Sequence, residues 1–235
     1  MRAILSRELQ SYFYTPVAYV YMGVFLMLGS VFFAVNNLAA RSGDILTLLW
    51  DMSYLWLLLS PILTMRSFAG EKKSRTDQML FTSPVSLSSI VLGKYAAACC
   101  VLLLMVVLSF VYPLIVILYS KIYLGELLCG YLGFILQGCF FIALDMHLSA
   151  RAASPATAAV MAFGANMLLW LLDVVNAAVD LSIFARAVDF ISPYIRYEPF
   201  TLGQMSFASL AYYVLAIALF LFLTVRVLDK RRWSE

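Results

Sequence analysis

Six apolar stretches, each about 20 residues or longer, constrain this chain more than any other feature. A helix needs roughly that length to cross about 30 Å of hydrocarbon, and inside a bilayer the backbone must satisfy its own hydrogen bonds. The stretches run from Val17 to Val35, Leu46 to Leu63, Ile90 to Leu118, Leu127 to Leu148, Ala156 to Val175 and Phe207 to Leu228. They are neither short nor alternating, so a β-barrel is not indicated. With 64% hydrophobic and 12% charged residues, a soluble exterior cannot be assembled, and a disordered chain would be poor in apolar residues. The net charge of +3 leaves no basic face for nucleic acid. The expected fold is an all-α integral membrane domain of six transmembrane helices, one domain over residues 1–235.

Lys and Arg resist translocation, so their placement sets orientation. Six spans put both termini on one side. That side holds Arg2, Arg7, Arg66, Lys72, Lys73, Arg75, Lys94, Arg151, Arg226, Lys230, Arg231 and Arg232, against Arg41, Lys121, Arg186 and Arg196 on the other. Both termini are therefore expected in the cytoplasm, with the protein multi-pass in the cell inner (cytoplasmic) membrane. The first apolar run is too long for a signal-peptide core and is read as retained. Residues 1–16 form an amphipathic interfacial helix with Ile4, Leu5, Leu9, Tyr12 and Phe13 toward lipid. Pro113 removes a backbone donor and should kink the third span near its far end. No loop is large enough to be an enzyme or ATPase domain, so any energy must come from a partner.

The cytoplasmic loop over residues 64–89 carries the most information. Met79, Leu80 and Phe81 make an apolar patch after a polar turn, and Thr82-Ser83-Pro84 stops the helix, because a residue before proline avoids the α region. A short helix bracketed by charge beneath two spans is shaped to dock into a cleft on a cytosolic partner. A solvated positive-inside loop is the equal alternative on these grounds.

The run Met65-Arg66-Ser67-Phe68-Ala69, Glu71-Lys72-Lys73, Thr76, Leu80, Thr82-Ser83-Pro84-Val85-Ser86 and Ile90-Val91-Leu92-Gly93-Lys94 resembles the signature after the second span of ABC-2-type transporter permeases, in particular the gliding-motility and nitrous-oxide-accessory branch. Arg7-Glu8-Leu9 before Tyr12-Phe13 with Pro16, Ala18 and Tyr19, and the closing Leu219 to Trp233, resemble the family's two ends. The chain departs at Gly70, where a second acidic residue is frequent, and at Arg75, where a glycine commonly precedes the threonine. The resemblance implies a non-catalytic permease that dimerises with itself or a related permease and rides on two copies of a separate cytosolic ATPase. ATP and Mg²⁺ would belong to that ATPase, with no cofactor in this chain, and the coupled work would be export or outward force. An accessory periplasmic or membrane protein is a further partner of such systems. The loop would be the coupling helix. Glu71, Lys72, Lys73, Thr76 and Asp77 would make polar contacts with the ATPase, Leu80 and Phe81 would fill its groove, and Thr82, Ser83 and Pro84 would end the helix.

Other motifs carry less. Ser88 to Tyr95 ends in Gly93-Lys94 but lacks the leading glycine and following Ser or Thr of a P-loop. Asp145 and His147 are two residues apart and so on different helix faces, which argues against a shared metal; both are read as a polar helix end toward the headgroups. Cys99, Cys100, Cys129 and Cys139 lie in apolar runs and read as buried, inert thiols. Gln137 and Asn166, deep in the fourth and fifth spans, could line a translocation path or bond a neighbouring helix, and the second is favoured because such bonds are common. Tyr112 beside Pro113 is a further path residue, and Asp51 is placed near water or a partner. The alanine-rich fifth span reads as internal or dimer-facing. The stretch 176–206 is too apolar for a free loop and too interrupted to span, so a re-entrant pair of short helices fits. The competing function is an energy-independent scaffold or secondary transporter, against which stand the lack of an internal repeat and of an evident midplane charge.

Overall fold

The computed structural model of the protein describes residues 2–76, 86–178 and 188–232, and among these it is helical with no strand. Helix α1 (Arg2–Tyr14) precedes α2 (Val17–Phe33), whose last turns widen into a π-helical segment, Ala34–Ala39. After a turn come α3 (Ile45–Ser53), α4 (Leu55–Thr64) and the short α5 (Ala69–Lys73). Then follow α6 (Leu87–Ser109), α7 (Val111–Val116), α8 (Leu124–Arg151), α9 (Pro155–Ala178), α10 (Pro193–Thr201) and α11 (Phe207–Arg232).

Among the described residues five helical segments are long and apolar enough to cross a membrane, and six if the bent pair Ile45–Ser53 and Leu55–Lys73 counts as one span. They coincide with the six apolar stretches, so this is a multi-pass membrane protein. The second span is broken rather than straight, turning by 51° after Ser53. The third breaks at Phe110, between α6 and α7. Pro113 has no N–H to give to the carbonyl four residues back, that of Ser109. The Tyr131 hydroxyl donates to that carbonyl instead, at 3.2 Å, so the expected proline break is compensated from α8.

Helix α8 is the hub, packing against α3, α4, α5, α6, α9, α10 and α11. Its own Phe134 and Phe141 are fully buried, as is Trp56 of α4, whose ring lies 4.9 Å from that of Phe134. Helix α10, before the last span, packs against α8, α3 and α11; residues 179–187 of the stretch read as re-entrant lie outside the described residues. Tyr194, Tyr197 and Phe200 anchor α10, fully buried, with Tyr197 stacked on Trp50 at 5.9 Å and Tyr194 on Tyr54 at 5.3 Å. Gly133 permits this approach, because a Cβ there would lie 2.5 Å from the Phe200 Cβ.

Three readings are corrected. The apolar side of α1 is turned to the bundle rather than to lipid: Ile4 lies on Gly93 of α6, and the Tyr12 hydroxyl donates to the Leu63 carbonyl at 3.2 Å. Helix α9 is not internal to the protomer, being the least covered of the five long spans. Cys100 is exposed while Cys129 is buried, since successive helical residues point about 100° apart and Cys99 and Cys100 cannot both face the core.

Candidate functional site

Among the described residues, two arrangements of polar side chains stand out in the apolar bundle, one where the loop after α4 leaves the spans and one inside it. The first is built on Lys94, eighth residue of α6 and almost wholly buried. Its Nζ donates to Glu71 Oε1 of α5 at 2.7 Å and to Glu8 Oε1 of α1 at 2.8 Å. The Phe68 ring lies beneath it, 5.4 Å from centroid to ammonium. One ammonium thus ties three segments that are distant in sequence. Burial pushes the Glu71 carboxyl above its ordinary pKa against the pull of Lys94. Beside Lys94, Gly93 makes room for α1: an added Cβ would stand 2.9 Å from Ile4 Cγ2. Ser86, the last residue of the T-S-P-V-S element, caps α6 by accepting from the Ser89 N–H at 3.4 Å.

Helix α5 is too short to stand alone, and both its ends are secured. The Ser149 hydroxyl of α8 accepts from the backbone N–H groups of Phe68 and Ala69 at 3.4 and 3.3 Å, supplying a cap from another span. At the other end Arg75 takes φ +55°, and the Thr76 and Arg75 N–H groups donate to the carbonyls of Glu71 and Lys72 at 3.0 and 3.2 Å. That is the paired closure of a Schellman motif, whose left-handed residue is usually glycine. Arg75 therefore occupies a backbone position that favours the glycine commonly found in sequences of the pattern it resembles.

Of the loop residues singled out from sequence, Glu71 faces inward to Lys94, Lys72 and Thr76 are half-buried, and Lys73 is exposed. Asp77, Leu80, Phe81, Thr82, Ser83 and Pro84 lie outside the described residues.

The second arrangement joins three spans. Asp145 Oδ2 accepts from Ser60 Oγ of α4 at 2.5 Å and from Asn166 Nδ2 of α9 at 3.3 Å. All three residues are fully buried, and Asp145 Oδ1 and Asn166 Oδ1 have no partner among the described residues. This corrects the placement of Asp145 at a headgroup-facing helix end. His147 is buried too, its Nδ1 3.4 Å from Thr224 Oγ1 of α11. They point to different faces of α8, Asp145 toward α4 and α9 and His147 toward α11, and both faces are covered, so proximity to the helix end does not bring them to solvent. Gln137, two turns away on α8, is fully buried, with no partner for either amide atom among the described residues. Tyr112 is separate, donating to the Leu26 carbonyl at 2.9 Å near Ser30. Asn166 and Asp145 thus meet, whereas Tyr112 and Gln137 do not join them. Asp51 accepts from the Asn36 side chain of the π-helical segment.

Sequence reading missed the Lys94 knot and the Asp145 contact. A signal existed for each: a lysine two turns into an apolar run and an aspartate among Phe, Ile and Leu both need a partner in low dielectric.

No group of three or more His, Cys, Asp or Glu side chains able to hold a metal occurs among the described residues. Residues 52–233 match the family model described as ABC-2 family transporter protein. No protein of curated function matches the chain.

Proposed function

The chain belongs to the ABC-2 transporter family, and from that premise we propose that it is the permease subunit through which a separate ATPase drives export or outward force. As a family member it is a multi-pass membrane transport component. In our reading two ATPase copies, carrying ATP and Mg²⁺, press on a pair of permeases, either two copies of this chain or this chain with a related one. The gliding-motility and nitrous-oxide-accessory branch is the subgroup whose pattern the loop follows. Both termini and the loop 64–89 then face the cytoplasm, as the twelve-to-four division of Lys and Arg favours.

The observation that carries the reading is the knot at Lys94. A loop that only connected two spans would gain nothing from a buried ammonium holding it to α1 and α6 at once. A loop that transmits movement needs a stiff attachment, since a flexible one absorbs displacement. Glu71 supplies that attachment from inside. Lys72, Lys73, Thr76 and Asp77 are left to face the ATPase, where rim charges set partner choice. Leu80 and Phe81 fill its groove, and Thr82, Ser83 and Pro84 end the coupling helix. Within the bundle, Asn166 holds α9 to α4 and α8, and Gln137 and Tyr112 remain the residues assigned to the path.

The double variant Leu80→Asp/Phe81→Asp tests this. It should remain in the membrane at normal abundance and lose copurification of the ATPase. Undiminished copurification would refute the assignment of the loop.

A further inference from the structure

On the side of the bundle where α11 begins, two adjoining hollows of about 450 and 390 Å³ lie along that helix. They share Phe190, Tyr212, Ala216 and Leu219, and so form one groove between α9 and α11 floored by α8. The stripe of α11 that lines it, from Ala208 to Leu219, rises about 16 Å at 1.5 Å per residue. That matches one leaflet of hydrocarbon, roughly 15 Å. Alanines at 208, 211 and 216 leave the hollow open, while Phe190, Leu215 and Leu219 stand exposed along it.

Arg196 marks the mouth. Its guanidinium lies over the Tyr212 ring, 5.8 Å from the centroid, and Tyr212 is held in place by donating to the Ile191 carbonyl at 2.5 Å. Among the described residues no carboxylate pairs with Arg196, and its Nε is buried without a hydrogen-bond partner. A cation at the top of an apolar slot, short of one acceptor, is complementary to an anionic headgroup with a hydrocarbon tail. The guanidinium fork suits the phosphate of such a headgroup.

We propose that this groove is a binding site for one anionic phospholipid, its phosphate on Arg196 and one acyl chain along the Ala208–Leu219 stripe. The site depends only on the chain lying in a bilayer and is independent of how the ATPase engages the loop.

The test is native mass spectrometry of the full-length protein in detergent, with phosphatidylglycerol or phosphatidylcholine of identical chains added. The wild type should retain phosphatidylglycerol at several-fold higher occupancy. Arg196→Gln should reduce it to the phosphatidylcholine level, and Arg196→Lys should recover part of the preference. Ala216→Phe, which fills the slot, should lower retention of both lipids; if that variant fails to fold, Ala211→Leu at the open rim serves the same purpose. Equal retention of the two lipids by the wild type, or an Arg196→Gln protein that keeps the preference, would overturn the proposal. So would displacement of the lipid by glycerol phosphate as effective as displacement by the intact phospholipid, since the chain would then contribute nothing.

Discussion

Replacing Lys94 by methionine removes the one positive charge between two carboxylates. Glu8 and Glu71 approach Nζ to 2.8 and 2.7 Å, and their side chains are only 16% and 15% exposed. At these separations an effective dielectric near 20 gives a gross attraction of about 6 kcal/mol per pair, most of it offset by desolvation of the ions. Removing one partner of a buried pair, however, strands its counter-charges, and such changes cost about 3–5 kcal/mol. In a chain of this size 1 kcal/mol moves the melting temperature by about 2–4 °C, so Lys94→Met should lower it by about 6–20 °C. Glu71→Gln, which leaves the Lys94–Glu8 pair in place, should cost about 1–2 kcal/mol as one charge-assisted hydrogen bond is weakened. The triple variant Glu8→Gln/Glu71→Gln/Lys94→Met, with no charge left to strand, should recover much of the loss. Thermal unfolding of the four proteins in one detergent, followed by fluorescence, reads all three differences. If Lys94→Met melts with the wild type, or the triple variant is no better than Lys94→Met, the knot is not an energetic unit.

Further expectations concern single contacts. Arg75→Gly should stabilise the end of α5 by about 1 kcal/mol, since glycine occupies a left-handed position without the cost borne by a side chain, and hydrogen exchange at Thr76 should slow. Gly93→Val places methyl groups where Ile4 stands and should lift α1 from α6, detected as rapid protease cleavage within residues 2–14 while the remaining spans stay intact. Tyr131→Phe leaves the Ser109 carbonyl, already without an intrahelical donor because of Pro113, unpaired; a loss of about 1–3 kcal/mol in chemical unfolding is expected, against near zero for the exposed Tyr123→Phe.

The spans were legible because apolar length is a property of the chain alone, and it placed all six in register. The break after Ser53 is not legible: Thr47, Asp51, Ser53 and Ser60 are scattered through Leu46 to Leu63 without a helix breaker at the bend, and its proline, Pro61, lies well beyond it. The Lys94 knot depends on residues 23 and 86 positions apart, and the Ser60–Asp145–Asn166 contact on separations of 85 and 21, distances over which no local periodicity operates. What sequence does hold is the demand for partners, and the charges at Lys94 and Asp145 stated it. The orientation count treated Lys94 as one basic residue among twelve and hid its structural role. The apolar face of α1 is legible in its own residues; that it meets protein depends on distant ones, Gly93 standing 89 positions beyond Ile4 and Leu63 51 beyond Tyr12. Glu71 and Arg75 illustrate the opposite case, in which the resemblance picked out positions whose roles are an internal ion pair and a left-handed cap.

The proposed function has this permease working through a separate ATPase. The most direct measurement is a tagged pull-down of the unmodified protein from native membranes, with mass spectrometry of the accompanying proteins and an assay of ATP hydrolysis in the eluate. A P-loop ATPase at a one-to-one ratio with the permease is expected, with hydrolysis that disappears with Leu80→Asp/Phe81→Asp. Recovery of this chain without any ATPase, under conditions that keep a reference transporter complex whole, would contradict it.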